Sequence, residues 1–140
     1  MAPTARAAIR VRLWPQRYAI ARLIAVPDPF PTRGAGGAPV ALIVDHDEVS
    51  LVAPEEVVEA QGGLVERVGK GWRALTLEAT FPLTTVGLLA VVSRALADVD
   101  IPLMVLSSYD TDHFLVPDET LGRALAALSQ ARLERFLPGE

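Results

Sequence analysis

Two short stretches of this chain hold residues that could do chemistry on a small molecule. One is Thr84-Thr85-Val86-Gly87, and the other is Ser107-Ser108-Tyr109-Asp110-Thr111-Asp112. The first precedes an apolar periodic run, so its amides read as the free donors of a helix start, which attract a carboxylate. Gly87 has no side chain and would let a ligand approach the first turn closely. Asp112 or Asp110 could hold an ammonium or guanidinium group, with the hydroxyls of Ser107, Ser108 and Thr111 adding hydrogen bonds. The same residues also have a purely structural reading. Thr84 or Thr85 caps the helix, and the Asp residues turn the chain.

The elements that must position these groups lie between Thr76 and Pro117. An apolar strand ends at Phe81-Pro82. After the loop, Leu88, Leu89, Val92, Leu96 and Val99 recur at three- and four-residue steps, which predicts an amphipathic helix with one apolar stripe. Asp98-Val99-Asp100 before Ile101-Pro102 ends it, because the residue before a proline is pushed out of the helical region. Leu103 to Val105 is a buried strand by its length and apolar character. Asp110-Thr111-Asp112 reads as a tight turn, and His113 to Pro117 as the returning strand.

Other combinations of chemical side chains are weaker. Asp45-His46-Asp47 and Asp110-Thr111-Asp112-His113 contain carboxylate and imidazole donors, but no metal-ligand spacing joins them, and alternate strand residues point to opposite faces. Serine, histidine and aspartate are present without a nucleophile-elbow signature. Gly34, Gly36 and Gly37 are followed by no Gly-Lys-Ser/Thr, so the Pro/Gly-rich segment 27–39 reads as a connector. Trp14 and Trp72 read as core or interface aromatics.

The run FPLTTVGLLAVVSRALADVDIPL followed by SSYDTDHFLV resembles an ACT domain. It is most similar to the branch of the CASTOR-type amino-acid sensors and their small bacterial relatives, which also resemble the regulatory part of aspartate kinases. The likeness covers residues 72–128 well and 13–58 more loosely. It implies an α+β, ferredoxin-like βαββαβ fold in which amino-acid effectors sit at a helix start and a neighbouring turn, at the interface between ACT units. Thr84, Thr85, Gly87, Ser108, Tyr109 and Asp112 fall on the matching motif. No cofactor and no catalytic residue is implied.

Bulk properties fit that reading. The chain has 140 residues, 51% of them hydrophobic, so it can bury a sizeable core and is not mainly disordered. A net charge of −4 with a single lysine, Lys70, argues against nucleic acid, whose binders cluster cations along the phosphates. There is no cysteine, which removes disulfides and thiolate chemistry together. No apolar run reaches the length of a membrane span, and MAPTARAAIRVRLW lacks the apolar core of a secretion signal. A cytoplasmic placement is expected.

Earlier in the chain, residues after Pro15 alternate, with Tyr18, Ile20, Arg22 and Ile24 facing one way and Ala19, Ala21 and Leu23 the other. Val40 to Val44 and Glu48 to Val52 read as a hairpin. Pro54 opens a short acidic helix closed by Gly62-Gly63, and residues 64–71 read as a connection. Asp45 to Glu56 parallels Asp110 to Glu119, each an Asp-x-Asp turn, a strand ending Leu-Val, then Pro and acidic residues. A repeat of this kind predicts two tandem ACT-like halves with antiparallel sheets covered by helices on one face. They are an N-terminal half over 1–63, its first helix replaced by the loop 27–39, and a C-terminal ACT domain over 72–140. Asp118 to Leu128 reads as an amphipathic helix, with helix and strand both open beyond it.

The expected function is a stand-alone, non-catalytic amino-acid-binding regulator with a possible regulated protein partner. Because sheet edges invite strand addition, it is expected to be at least a homodimer, or to pair its two halves within the chain in imitation of one. The alternatives are an interaction module that has lost its ligand, or a small metal-dependent enzyme.

Overall fold

The computed structural model describes residues 10–78 and 86–131. It contains strands β1 (Val11–Leu23), β2 (Ala41–Val44), β3 (Val49–Pro54), β4 (Val65–Leu77), β5 (Met104–Ser107) and β6 (Asp112–Pro117). The helices are α1 (Glu55–Glu59), α2 (Leu88–Ala97) and α3 (Leu121–Gln130). The strands form a six-stranded sheet in the order β2-β3-β1-β4-β6-β5. The chain divides into two compact units, one over residues 14–73 and the other over 1–13 and 74–140, with the boundaries inside β1 and β4. The architecture is the α+β, ferredoxin-like class.

In the unit 14–73, β3 pairs antiparallel with both β1 and β2. The alternation in β1 is as expected: Ala19, Ala21 and Leu23 are buried with Leu51, Ala53 and Val58. Pro15 lies inside β1 but outside Tyr18–Leu23, the stretch paired with β3, so its missing N–H costs no bond on that side. Pro54 is the N-cap of α1 rather than its first helical residue, and it also ends β3. Glu55 and Glu56 occupy the first turn. Residues 65–71 are not a connection: they are the first part of β4, thirteen residues long. Gly71 fits because it takes φ +84, a conformation that only glycine adopts cheaply. The carboxylate of Glu55 accepts from the Gly71 N–H at 3.0 Å, and Glu59 pairs with Lys70 at 3.4 Å. Helix α1 therefore supports the Gly-Lys-Gly segment that the sequence marks as a break.

In the other unit, Leu75 and Leu77 of β4 and Phe114 and Val116 of β6 are buried with Leu88, Val92 and Leu96 of α2 and Ala124 and Leu128 of α3. The apolar stripe of α2 is narrower than its spacing suggests, since Leu89 is 49% exposed. The N-cap of α2 is Gly87, at φ 89, with no side-chain capping bond. This corrects the assignment of the cap to Thr84 or Thr85, which lie outside the described residues; a left-handed residue immediately before Leu88 sets the start of the helix. The helix ends as expected. Asp100 adopts φ 57, its N–H donates to Ala97 O at 3.0 Å, and Ile101 N–H donates to Leu96 O at 3.0 Å, a Schellman closure. Ile101 and Leu96 are both buried in the same cluster.

β5 pairs antiparallel with β6, closing at Ser107↔Asp112. The turn is thus Ser108–Thr111, and Asp112 is the first residue of β6 rather than part of the turn. The first hairpin closes at Val44↔Val49, also around four residues. Aligning the two closures places Asp45 with Ser108, Leu51 with Phe114 and Pro54 with Pro117, at one constant offset. The repeat holds, but its two Asp-x-Asp motifs are displaced by two positions. α3 follows a 3-10 turn, Asp118–Thr120, and runs to Gln130; the question of helix or strand beyond Ala131 falls outside the described residues.

Replacing Leu96, fully buried under the sheet, by Ala should lower stability by about 2–5 kcal/mol. Leu89→Ala should change it by about 0.5 kcal/mol. Urea denaturation followed by circular dichroism checks the pair, and equal losses would show that Leu89 belongs to the core.

Candidate functional site

The end of the second hairpin gathers most of the polar side chains singled out in the sequence. Ser107 Oγ donates to Asp112 Oδ1 at 2.6 Å across the closing pair. Ser108 N–H donates to Thr111 O at 2.8 Å, closing the turn. Ser108 Oγ lies 3.2 Å from Thr111 O, 3.1 Å from Thr111 Oγ1 and 3.3 Å from His113 Nε2. Tyr109 and Asp110 stand exposed at the tip, Tyr109 with 78% of its surface open.

Sequence reasoning weighed His113 only as a metal donor and missed its contact with Thr76. His113 Nδ1 lies 2.9 Å from Thr76 Oγ1, so the imidazole spans from β4 to the turn. Burial pushes the His113 pKa below its ordinary 6.5, against the opposing pull of the Asp112 carboxylate. The available signal was parity: Leu75, Leu77, Phe114 and Val116 face the helices, so Thr76 and His113 share the other face.

At the start of α2, Val86 is 81% exposed and Gly87 half-buried. Thr84 and Thr85 lie outside the described residues. Among the described residues, no hydrogen bond joins Val86 or Gly87 to the hairpin turn. The structure therefore brings Ser107, Ser108, Thr111 and Asp112 together by hydrogen bonds at the hairpin end, while Val86 and Gly87 stand at the start of α2. The positive φ of Gly87 also means that any larger residue there strains the backbone, whether or not a ligand approaches.

The corresponding turn of the first hairpin borders an open cleft of about 430 Å³. Arg22 lies in it, 3.5 Å from Glu48 and 3.4 Å from Glu66, and donates to Asp47 O at 3.2 Å. Asp45 Oδ1 accepts from the N–H groups of Asp47 and Glu48, both at 2.8 Å. Those bonds, Glu48 first, hold the Asp45 carboxyl below its ordinary value of 3.8. Among the described residues no group of three or more His, Cys, Asp or Glu is arranged to hold a metal ion. No described helix is long and apolar enough to cross a membrane.

The profile of the ACT domain family matches residues 67–130, from within β4 to the end of α3. This segment is similar to ACT domains. It contains the start of α2 and the whole second hairpin. Among solved structures, a protein of Agrobacterium tumefaciens is 27% identical with a TM-score of 0.70, covering 87% of each chain. A Vibrio cholerae protein of unknown function, described as a possible transport protein, is 24% identical with a TM-score of 0.68 over 85% of this chain and 86% of its own. The ligand-free regulatory subunit of aspartate kinase from Thermus thermophilus shares the fold at 18% identity and a TM-score of 0.59, over 92% of this chain and 99% of its own. No curated protein matches the chain.

The Asp45 turn lends itself to a pH test that is independent of ligand. A carboxyl with a depressed folded-state pKa contributes stability above 3.8, and that contribution is lost as pH falls through the lowered value. Asp45→Ala should be less stable than wild type near pH 7 and closer to it near pH 2.5. Urea midpoints at both pH values measure the gap, and an unchanged gap would show that the carboxylate does not hold the turn.

Proposed function

We propose that this protein is a stand-alone, non-catalytic regulatory module that binds an amino acid through its ACT domain. The match over residues 67–130 carries the proposal, because that segment includes both the α2 start and the hydroxyl- and carboxylate-bearing hairpin. The shared fold with an aspartate kinase regulatory subunit supports a regulatory role. SSYDTDHFLV favours the CASTOR-type branch. In this reading the effector carboxylate lies at amides near Thr85, Val86 and Gly87. Its cationic group faces Asp112 or Asp110, with Ser107, Ser108 and Tyr109 alongside. The working assembly is a cytoplasmic homodimer that regulates a protein partner, and light scattering that gave only the monomer mass would remove the dimer from this account.

Thermal denaturation in the presence of each of the twenty amino acids tests the core of the proposal. Ligand raises stability by RT ln(1 + [L]/Kd), so millimolar concentrations register even a weak effector. A shift with one or a few amino acids is expected; no shift with any would leave an interaction module without an effector. With the effector known, calorimetric titration of Asp112→Ala should show affinity lower by one to two decades. That corresponds to loss of a charge-assisted hydrogen bond of about 1.5–3 kcal/mol, falling toward ~1 where solvent screens the pair. Wild-type affinity in a folded Asp112→Ala protein would assign Asp112 to the hairpin alone.

A further inference from the structure

His113, the second residue of β6, is placed between β4 and the Ser108–Thr111 turn. Both ring nitrogens have hydroxyl neighbours, Thr76 Oγ1 at 2.9 Å on β4 and Ser108 Oγ at 3.3 Å in the turn. Ser108 in turn reaches Thr111 O and Oγ1. The neutral ring can complete a directional chain: Thr76 O–H donates to Nδ1, Nε2–H donates to Ser108 Oγ, and the Ser108 hydroxyl donates to Thr111. A doubly protonated ring has no acceptor left. Thr76 would have to reverse its hydroxyl, and a charge would stand in a half-buried position.

We infer that His113 is an acid-released latch that ties the Ser108–Thr111 turn to β4 through Thr76 and Ser108. The groups around the ring offer little to hold its protonated form. Its partner on β5 is the apolar Leu106, and the turn presents Ser108 and Thr111, with Asp110 exposed at the tip. Beyond Thr76, the exposed Glu78 lies just past the end of β4. On its own strand, Asp112 is the one carboxylate that raises its proton affinity, and burial outweighs it. Helix α3 packs on the opposite face, against Phe114 and Val116, so its Arg123 faces away. Because the folded-state pKa lies below 6.5, an opened or unfolded chain takes up the proton first. Acidification through 6.5 therefore favours release, and the latch is closed at higher pH. On the reading of this hairpin as part of an effector site, release would also loosen the residues that face the effector.

Nuclear magnetic resonance on the ligand-free protein tests the latch without reference to any effector. Between pH 7.5 and 4, the ring protons of His113 and the amides of Ser108 and Thr111 should move with one shared midpoint below 6.5. The protection of the Ser108 amide, corrected for the intrinsic pH dependence of exchange, should fall on the acid side. In His113→Gln, which cannot titrate, that shared movement should vanish, leaving only carboxylate transitions. Ser108→Ala should keep the ring titration and uncouple it from the turn, which preserves the test if the glutamine variant does not fold. Turn amides that ignore the titration of His113, or that move identically in His113→Gln, would overturn the inference.

Discussion

Side chains on a strand alternate between faces, so the pairing register of β5 with β6 controls much of the second unit. With Ser107 opposite Asp112, Phe114 and Val116 lie beneath α2 and α3 alongside Leu75 and Leu77 of β4. A slip of one residue would take that apolar pair from beneath the helices and put His113 and Leu115 there instead. Large apolar side chains such as Phe contribute about 1.5–3 kcal/mol each on full burial, so the slipped register is strongly disfavoured. The polar arrangement follows from this packing. Asp112 must sit opposite Ser107, and His113 must share a face with Thr76.

The same constraint explains why the two hairpins keep a common frame while their chemistry differs. Each closes around four residues and ends at a proline that hands over to helical structure, Pro54 before α1 and Pro117 before the turn leading to α3. At the first turn position, Asp45 accepts from two backbone amides nearby and completes its bonding locally. Its counterpart Ser108 reaches to Thr111 and to His113, whose ring extends the network to β4. The first turn is tied to β1 through Arg22, and the second is tied to β4 through His113.

Much of this was legible in the chain. The stripe Leu88, Val92 and Leu96, the Asp100-Ile101-Pro102 stop, the strand ending Leu-Val-Pro and the repeat all reflect local periodicity or turn chemistry. The displaced Asp-x-Asp alignment shows where such reasoning fails, since aspartate suits a turn position and the adjoining strand end equally well. Gly69-Lys70-Gly71 read as a break because glycine weakens strands, yet Glu55 and Glu59 of α1 hold it within β4. Thr84 and Thr85 satisfied the composition of a cap, but the backbone of Gly87 set the helix start. Of the candidate site, the hairpin half was legible by residue type. The Thr76–His113 contact was not, because 37 residues separate the two and only the sheet brings them together.

The bonding within the hairpin also bears on how tightly such a site could hold an amino acid. Asp112 spends one oxygen on Ser107, and a carboxylate retains further acceptor sites on the other. Its orientation is thus fixed in advance, which spares a ligand the entropy of ordering it. Yet Ser107 and Asp110 are exposed, and an ion pair open to solvent contributes only about 0–1 kcal/mol. Useful affinity therefore requires water to be excluded by another surface. Val86, Leu89 and Tyr109, large apolar side chains left exposed in this unit, are of the kind that a covering surface would bury. On the proposed reading, effector binding and assembly are coupled for this reason: the charged groups gain strength only when a second copy shields them, and the shield holds better when an effector satisfies those groups.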